Sequence, residues 1–272
     1  MKRLIVSAIG AGALFVGVEW YLNRPTKAAA PPAEVVVETA PAASEDRPRA
    51  IEPAAQQPEP AAQPPPAPPV AKVTSNAVAA SVNPALDASL LSRTVDTLVS
   101  AQASHDQKQD AWKYLGAAGK LDQAITELEK RISMDPSNAV SAAVLGHAYL
   151  HKCGEIKDVR EQGILAMQAD KLFDTSLGLD SSNWEARFMK AVAMSYWPPM
   201  LNKGDEVIQH FQTLIDQQEA QAPQPHFAAT YAWLGDQYQK AGRTDDAKAV
   251  WERGSTLFPS DVNLRTKLAT AK

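Results

Sequence analysis

Fourteen of the chain's 20 prolines fall between Pro25 and Pro84, and that skew removes the window from any packed fold before a single motif is read. The stretch "KAAAPPAEVVVETAPAASEDRPRAIEPAAQQPEPAAQPPPAPPVAKV" has no aromatic residue and only brief apolar runs. It cannot bury enough surface to offset the entropy of ordering it. Residues 28–83 are therefore expected to form a disordered, extended and partly polyproline-like Pro/Ala-rich linker. A folded domain has to come from residues 84–272, which is long enough for a real core.

Residues 84–272 carry 20 Lys and Arg against 24 Asp and Glu, a net of −4, while positions 1–83 balance at seven of each. A nucleic-acid reader shows a basic excess, so no nucleic-acid partner is expected. Cys153 is the single cysteine. This excludes an intrachain disulfide and any multi-cysteine metal or haem-attachment motif.

The chain opens "MKRLIVSAIGAGALFVGVEWYLNRPTK". Lys2 and Arg3 precede an apolar run, and from Leu4 to Leu22 there are 19 residues, about 28 Å as a helix at ~1.5 Å per residue and just enough to cross a bilayer. Trp20 and Tyr21 fall where an aromatic belt lies. Residues 1–27 are read as a retained transmembrane anchor, with a cleaved signal peptide as the competing reading. Lys2, Arg3 and the amino terminus outweigh Arg24 and Lys27 slightly. The folded domain is thus expected on the extracytoplasmic, periplasmic side of a bacterial inner membrane. Gly10, Gly12 and Gly17 lack the strand, Lys and Ser/Thr of a phosphate loop, and Ala13 with Gly17 forms a small-xxx-small pair suited to packing in a membrane.

From Pro84 the apolar spacing is helical, with Leu86, Leu90, Leu91, Val95, Leu98 and Val99 along one face of a first helix. Self-similarity follows. The clearest copy is "TYAWLGDQYQKAGRTDDAKAVWERGSTLFPSD", with Tyr231, Leu234, Gly235, Tyr238, Ala247, Trp251 and Pro259 at its marked positions. This copy closely resembles the tetratricopeptide repeat, W-x2-L-G-x2-Y, then A-x3-F, then P. Small residues at Gly235 and Ala247 let two antiparallel helices approach, large ones fill the gap, and Gly242 permits the turn. Weaker copies precede it. In the first, Leu115, Gly119, Ala124, Leu128 and Pro136 match, while Ala111 and Trp112 replace Leu-Gly; the second supplies Leu145, Gly146, Tyr149, Ala169 and Phe173; the third, from Trp184, supplies Ala191, Met194, Val207, Phe211 and Leu214. The resemblance implies an all-α, tetratricopeptide-type helical-hairpin solenoid of about four repeats with insertions, closed by the helix "DVNLRTKLATA".

Ala124 and Ala247 stand 123 positions apart, where three repeats of about 34 residues give about 102. The surplus divides into eleven positions inside the second copy, four inside the third and six after it. The eleven extend a stripe of Ile164, Leu165, Ala169, Leu172, Phe173 and Leu177, and the eleven and the four, about three helical turns and one, are both expected to lengthen helices. The smaller insertion, "SYWPPMLNKG", breaks the helical pattern at Pro198 and Pro199. Tyr196, Trp197 and Met200 are expected either to cover the apolar stripe of the overhanging second helix or to form an aromatic anchor for a partner peptide.

By the same resemblance, the first helix of each repeat lines a concave groove that takes extended or helical peptides. Lys113 of the first copy faces it, with Val140, Ala143, His147 and His151 of the second, Glu185, Phe188, Val192 and Tyr196 of the third, and Ala229, Ala232, Asp236 and Lys240 of the last. Of the places where related domains clamp a carboxylate, Gln109, Lys113, Val144, Glu185 and Met189, only Lys113 has the required chemistry. His147, His151 and Cys153 read H-x3-H-x-C without a nearby set of further ligands, so no metal and no cofactor is expected. Ser104, His105 and Asp106 are merely adjacent in sequence, and no nucleophile or paired-carboxylate arrangement stands out.

These readings converge on a non-enzymatic, membrane-tethered adaptor that binds a protein or peptide, with no small-molecule substrate. The alternative is an exported chaperone-like or maturation factor that holds client chains, as repeat domains attached to cytochrome assembly machinery resemble.

Overall fold

The computed structural model describes residues 84–271; the expected anchor (1–27) and linker (28–83) lie outside the described residues. Among the described residues there are ten α-helices and no strand. In chain order they are α1 (Pro84–Val99), α2 (His105–Ala117), α3 (Leu121–Met134), α4 (Ala139–Glu155), α5 (Val159–Leu179), α6 (Trp184–Met194), α7 (Gly204–Glu219), α8 (Ala228–Lys240), α9 (Thr244–Leu257) and α10 (Val262–Thr270). Short 3-10 turns at Pro199–Leu201 and Pro225–Phe227 precede α7 and α8. None of these helices is long and apolar enough to cross a membrane.

Local chemistry sets the ends. Asn138, Asp158, Asn183 and Asp261 each accept a hydrogen bond from a backbone N–H in the first turn of α4, α5, α6 and α10, satisfying donors that a helix start leaves open. The turns into α3 and α9 instead use glycine at positive φ, 62° at Gly119 and 75° at Gly242. In both, the next N–H reaches back into the preceding helix, from Lys120 to Leu115 O (2.9 Å) and from Arg243 to Tyr238 O (2.8 Å).

Repeats two to four stack as antiparallel pairs, α4 with α5, α6 with α7 and α8 with α9, and α10 closes the stack against α8 and α9. This is the tetratricopeptide-type helical-hairpin solenoid implied by the motif positions. Gly235 and Gly146 are close-approach sites: a Cβ would lie 2.1 Å from Trp251 Nε1 and 2.8 Å from Phe173 Cε1, respectively. The longer insertion is helical as expected, α4 and α5 running 17 and 21 residues against 13 and 14 for α8 and α9. The smaller one adds no helical turn and becomes the loop carrying Pro199–Leu201. Two apolar clusters hold the stack. One, from α1 to α4, centres on Val95, Leu98, Trp112, Leu115 and Leu128, and the other, from α4 to α10, on Phe173, Phe188, Phe211, Tyr231, Trp251 and Leu264. On α1, Val95 and Leu98 are buried, whereas Leu86 and Leu90 are exposed.

The first hairpin departs from the pattern. Its helices match α8 and α9 in length and its turn has the same hydrogen bonds, yet α2 and α3 barely approach each other. The offset that relates Ala124 to Ala247 also relates Trp112 to Gly235, so an indole stands where the last repeat has its glycine. The Trp112 ring packs on His147 and His151 of α4. Helix α1 fills the opening and packs on α2, α3 and α4. Beyond α1, side chains of α2 reach the later repeats.

Candidate partner-binding face

Helix α2 turns three side chains toward the repeats that follow it. Their spacing, 105, 108 and 112, is that of one helical face. His105 stacks on His226 just before α8 (4.4 Å between centroids, planes 9° apart) and meets Trp184 of α6 edge-on (6.2 Å). Lys108 Nζ lies 3.4 Å from Glu185 Oε2 on α6. Gln109 Nε2 donates to His105 Nε2 (3.3 Å). Trp112 sits 4.7 Å from both His147 and His151 of α4. One helix of the first repeat thus touches the second, third and fourth.

Electrostatics concentrate on Glu185. Its other oxygen accepts a hydrogen bond from His147 Nδ1 (3.0 Å). Burial pushes the Glu185 carboxyl up, but that bond and the charges of Lys108, His147 and His105 outweigh it and set its pKa at about 2. Burial moves the neighbouring histidines the other way. His151, with His147 beside it, falls well below the ordinary imidazole value, and burial next to His105 takes His226 to about 3. His105 is also lowered by burial, against the opposing pull of Glu185 and Asp106.

The same face carries unmet polar capacity. Among the described residues Gln109 Oε1, Trp112 Nε1, His147 Nε2, His151 Nε2 and Trp184 Nε1 are buried without a hydrogen-bond partner. Such an atom typically costs about 1–3 kcal/mol. Helix α2 is therefore seated with poor polar complementarity against an otherwise tightly packed wall.

A second station lies at the other end of the inner wall. Asp236 accepts both its bonds from Lys267 of α10 (2.5 and 2.7 Å). Lys240 Nζ stands 5.7 Å over the Tyr196 ring, whose edge faces Trp233 at 6.1 Å. Burial raises the Asp236 pKa against the pull of Lys267 and lowers that of Lys240.

The sequence-derived candidates separate accordingly. His147, His151 and Glu185 come together, as do Tyr196, Asp236 and Lys240. Phe188 and Val192 do not line an open wall; both are wholly buried, because α6 is covered on that side by its own neighbours. Val140 is half-buried against the cluster around α1, and Lys113 is exposed, paired with Asp110 at 3.1 Å. Tyr196 and Trp197 pack partly buried on the C-terminal cluster, whereas Met200 is 83% exposed. Tyr196 meets Trp233 edge-on, while Ile164 and Met167 of the overhanging helix remain exposed. Cys153 faces away from the two histidines, its Sγ 3.5 Å from Gln162 O on α5. Among the described residues no group of three or more His, Cys, Asp and Glu side chains is arranged to hold a metal. Ser104 is a helix cap, accepting from Gln107 N while its own N–H donates to Gln107 Oε1.

Sequence reading missed His105, Lys108, Gln109, Trp112, Trp184 and His226 as one constellation. The available signal was Trp112 at the place of a close-approach glycine.

No family model matches the chain, and no curated protein matches it. Solved structures do resemble it. MamA is 22% identical over 58% of this chain and 80% of its own, with a TM-score of 0.45. TTC0263, a thermophilic TPR protein of Thermus thermophilus, is 16% identical over 68% and 94%, at 0.47. YrrB, a TPR protein described as having an unusual peptide-binding site, is 13% identical over 66% and 81%, at 0.43.

Proposed function

We propose that this protein is a non-enzymatic adaptor whose repeat domain binds a protein or peptide along the wall formed by the first helices of its repeats. The observation that carries the reading is that this wall already meets a helix, α2, through side chains at i, i+3 and i+7, positions by which grooves take amphipathic helices. The apolar segment 1–27 and the Pro/Ala-rich linker support tethering to a membrane. The linker's reach, up to roughly 180 Å at ~3.1 Å per residue, holds the domain clear of the surface. The charge balance of the anchor supports placement on the extracytoplasmic side.

The test is capture of partners by the full-length chain in detergent, repeated with Glu185→Lys. A partner retained by the wild type and lost from the variant is expected. Capture indifferent to Glu185 and to Tyr196→Ala alike refutes binding on this wall. A reporter fused after Lys272 that functions only in the cytosol refutes the extracytoplasmic placement.

A further inference from the structure

Helix α5 is anchored along one face and bare along the other. Ala169, Phe173 and Ser176 are buried in the stack. On the opposite face Arg160, Glu161, Ile164, Met167, Gln168 and Lys171 are exposed, Ile164 at 51% and Met167 at 70%. The bareness follows from length. Asn183 N–H donates to Asp180 O at the turn between α5 and α6 (3.1 Å), and Lys190 of α6 pairs with Asp170 and Asp174 of α5 (2.5 and 3.1 Å). These points set an antiparallel register in which α6, ending at Met194, reaches back only to the level of Gln168. The turns of α5 before that level overhang. Charges flank the bare centre symmetrically: Glu161 stands three positions before Ile164, and Lys171 three after Gln168. Neither side chain is in an ion pair among the described residues.

We propose that this face of α5 is where two copies of the chain meet, packed antiparallel about a two-fold axis at the level of position 166. A two-fold contact needs a surface complementary to itself. Reversing α5 exchanges acid for base while keeping the apolar centre, so Glu161 of each copy faces Lys171 of the other and Ile164 faces Gln168. The two Met167 side chains lie beside the axis, where an unbranched thioether adapts to fill the gap. A parallel pairing sets Glu161 on Glu161 and Lys171 on Lys171 and is repelled. The contact uses the second helix of a repeat and leaves the first helices of both copies uncovered, so it stands independently of the adaptor reading.

Cross-linking of the full-length chain in detergent tests the contact. Gln168→Cys places a thiol on the face, ~6 Å along the helix axis from its symmetry mate and within reach of a short bis-maleimide. Cys153 is buried, and the chain without the substitution gives the background. Linked dimer is expected from Gln168→Cys. Adding Glu161→Lys sets lysine against lysine on both sides and should slow cross-linking about tenfold, the factor for about 1.4 kcal/mol. Adding Lys171→Glu as well swaps each pair and should restore the rate. No link between copies, or one rate for all three variants, overturns the proposal. Peroxide oxidation of the unaltered chain needs no substitution: Met167 should react more slowly than Met134 and Met200, which are 67% and 83% exposed, and equal rates overturn the proposal. Slow oxidation of Met167 with no link between copies means that another occupant covers the face, and overturns self-association as well.

Discussion

Substituting Gly235 by Ala tests the close-approach logic of the fold, because helix propensity and packing predict opposite signs. On propensity alone Ala stabilises a helix interior by about 1 kcal/mol relative to Gly. The structure says that the added Cβ falls 2.1 Å from Trp251 Nε1 and 2.5 Å from two further indole atoms. Trp251 has nowhere to retreat: it is 2% exposed, and its indole N–H donates to Ala232 O at 3.2 Å. Relief requires α8 and α9 to separate, at an overpacking cost of about 1–3 kcal/mol. If the indole bond breaks, the orphaned donor adds about 1–3 kcal/mol. The net expectation is a loss of about 2 kcal/mol or more, a fall in Tm of about 4 °C or more for a domain of this size. Gly163 in α5 is the control, since a Cβ there meets nothing within 4 Å, so Gly163→Ala gains up to about 1 kcal/mol. Urea unfolding followed by circular dichroism measures both. A neutral or stabilising Gly235→Ala refutes the claim that glycine sets the helix spacing.

Acid should destabilise the domain in two overlapping ranges. His226 is held at about 3, so the unfolded chain takes up its proton first and stability is lost as pH falls from about 6.5 toward 3. Glu185, held at about 2, adds a loss between about 4.5 and 2. His226→Phe should flatten the fall in Tm between about pH 6.5 and 4.5, and an unchanged profile contradicts the buried neutral imidazole. Burial pushes the Cys153 thiol up to about 11, so iodoacetamide at pH 8 should label it only in denaturant; rapid labelling of the native protein contradicts its position between α4 and α5. Trp197→Ala should cost about 1–3 kcal/mol from a half-buried ring and leave partner capture intact. Lost capture at unchanged stability would restore the aromatic-anchor role.

Much of the fold was legible because the repeat writes its packing into local spacing. Gly235 opposite Trp251 and Gly146 opposite Phe173 are each a small residue in one helix facing a large one in the next. The longer insertion was legible as helix because its apolar stripe stays in phase with the helical turn. The direction of Tyr196 was not. Whether a ring near a proline pair turns to the preceding helix or the following one depends on which neighbour leaves room, and Trp233, which it meets, is remote from it in the chain.

By itself the sequence determined the fold class and the helical character of the longer insertion, since helix periodicity, caps and turn glycines act within a few residues. The tertiary structure decided where α2 goes. Four of the chain's five histidines, His105, His147, His151 and His226, meet on one wall although 121 positions separate the first from the last. No local pattern encodes that meeting. It follows from the stacking of successive repeats, which brings the start of α8 within stacking distance of α2.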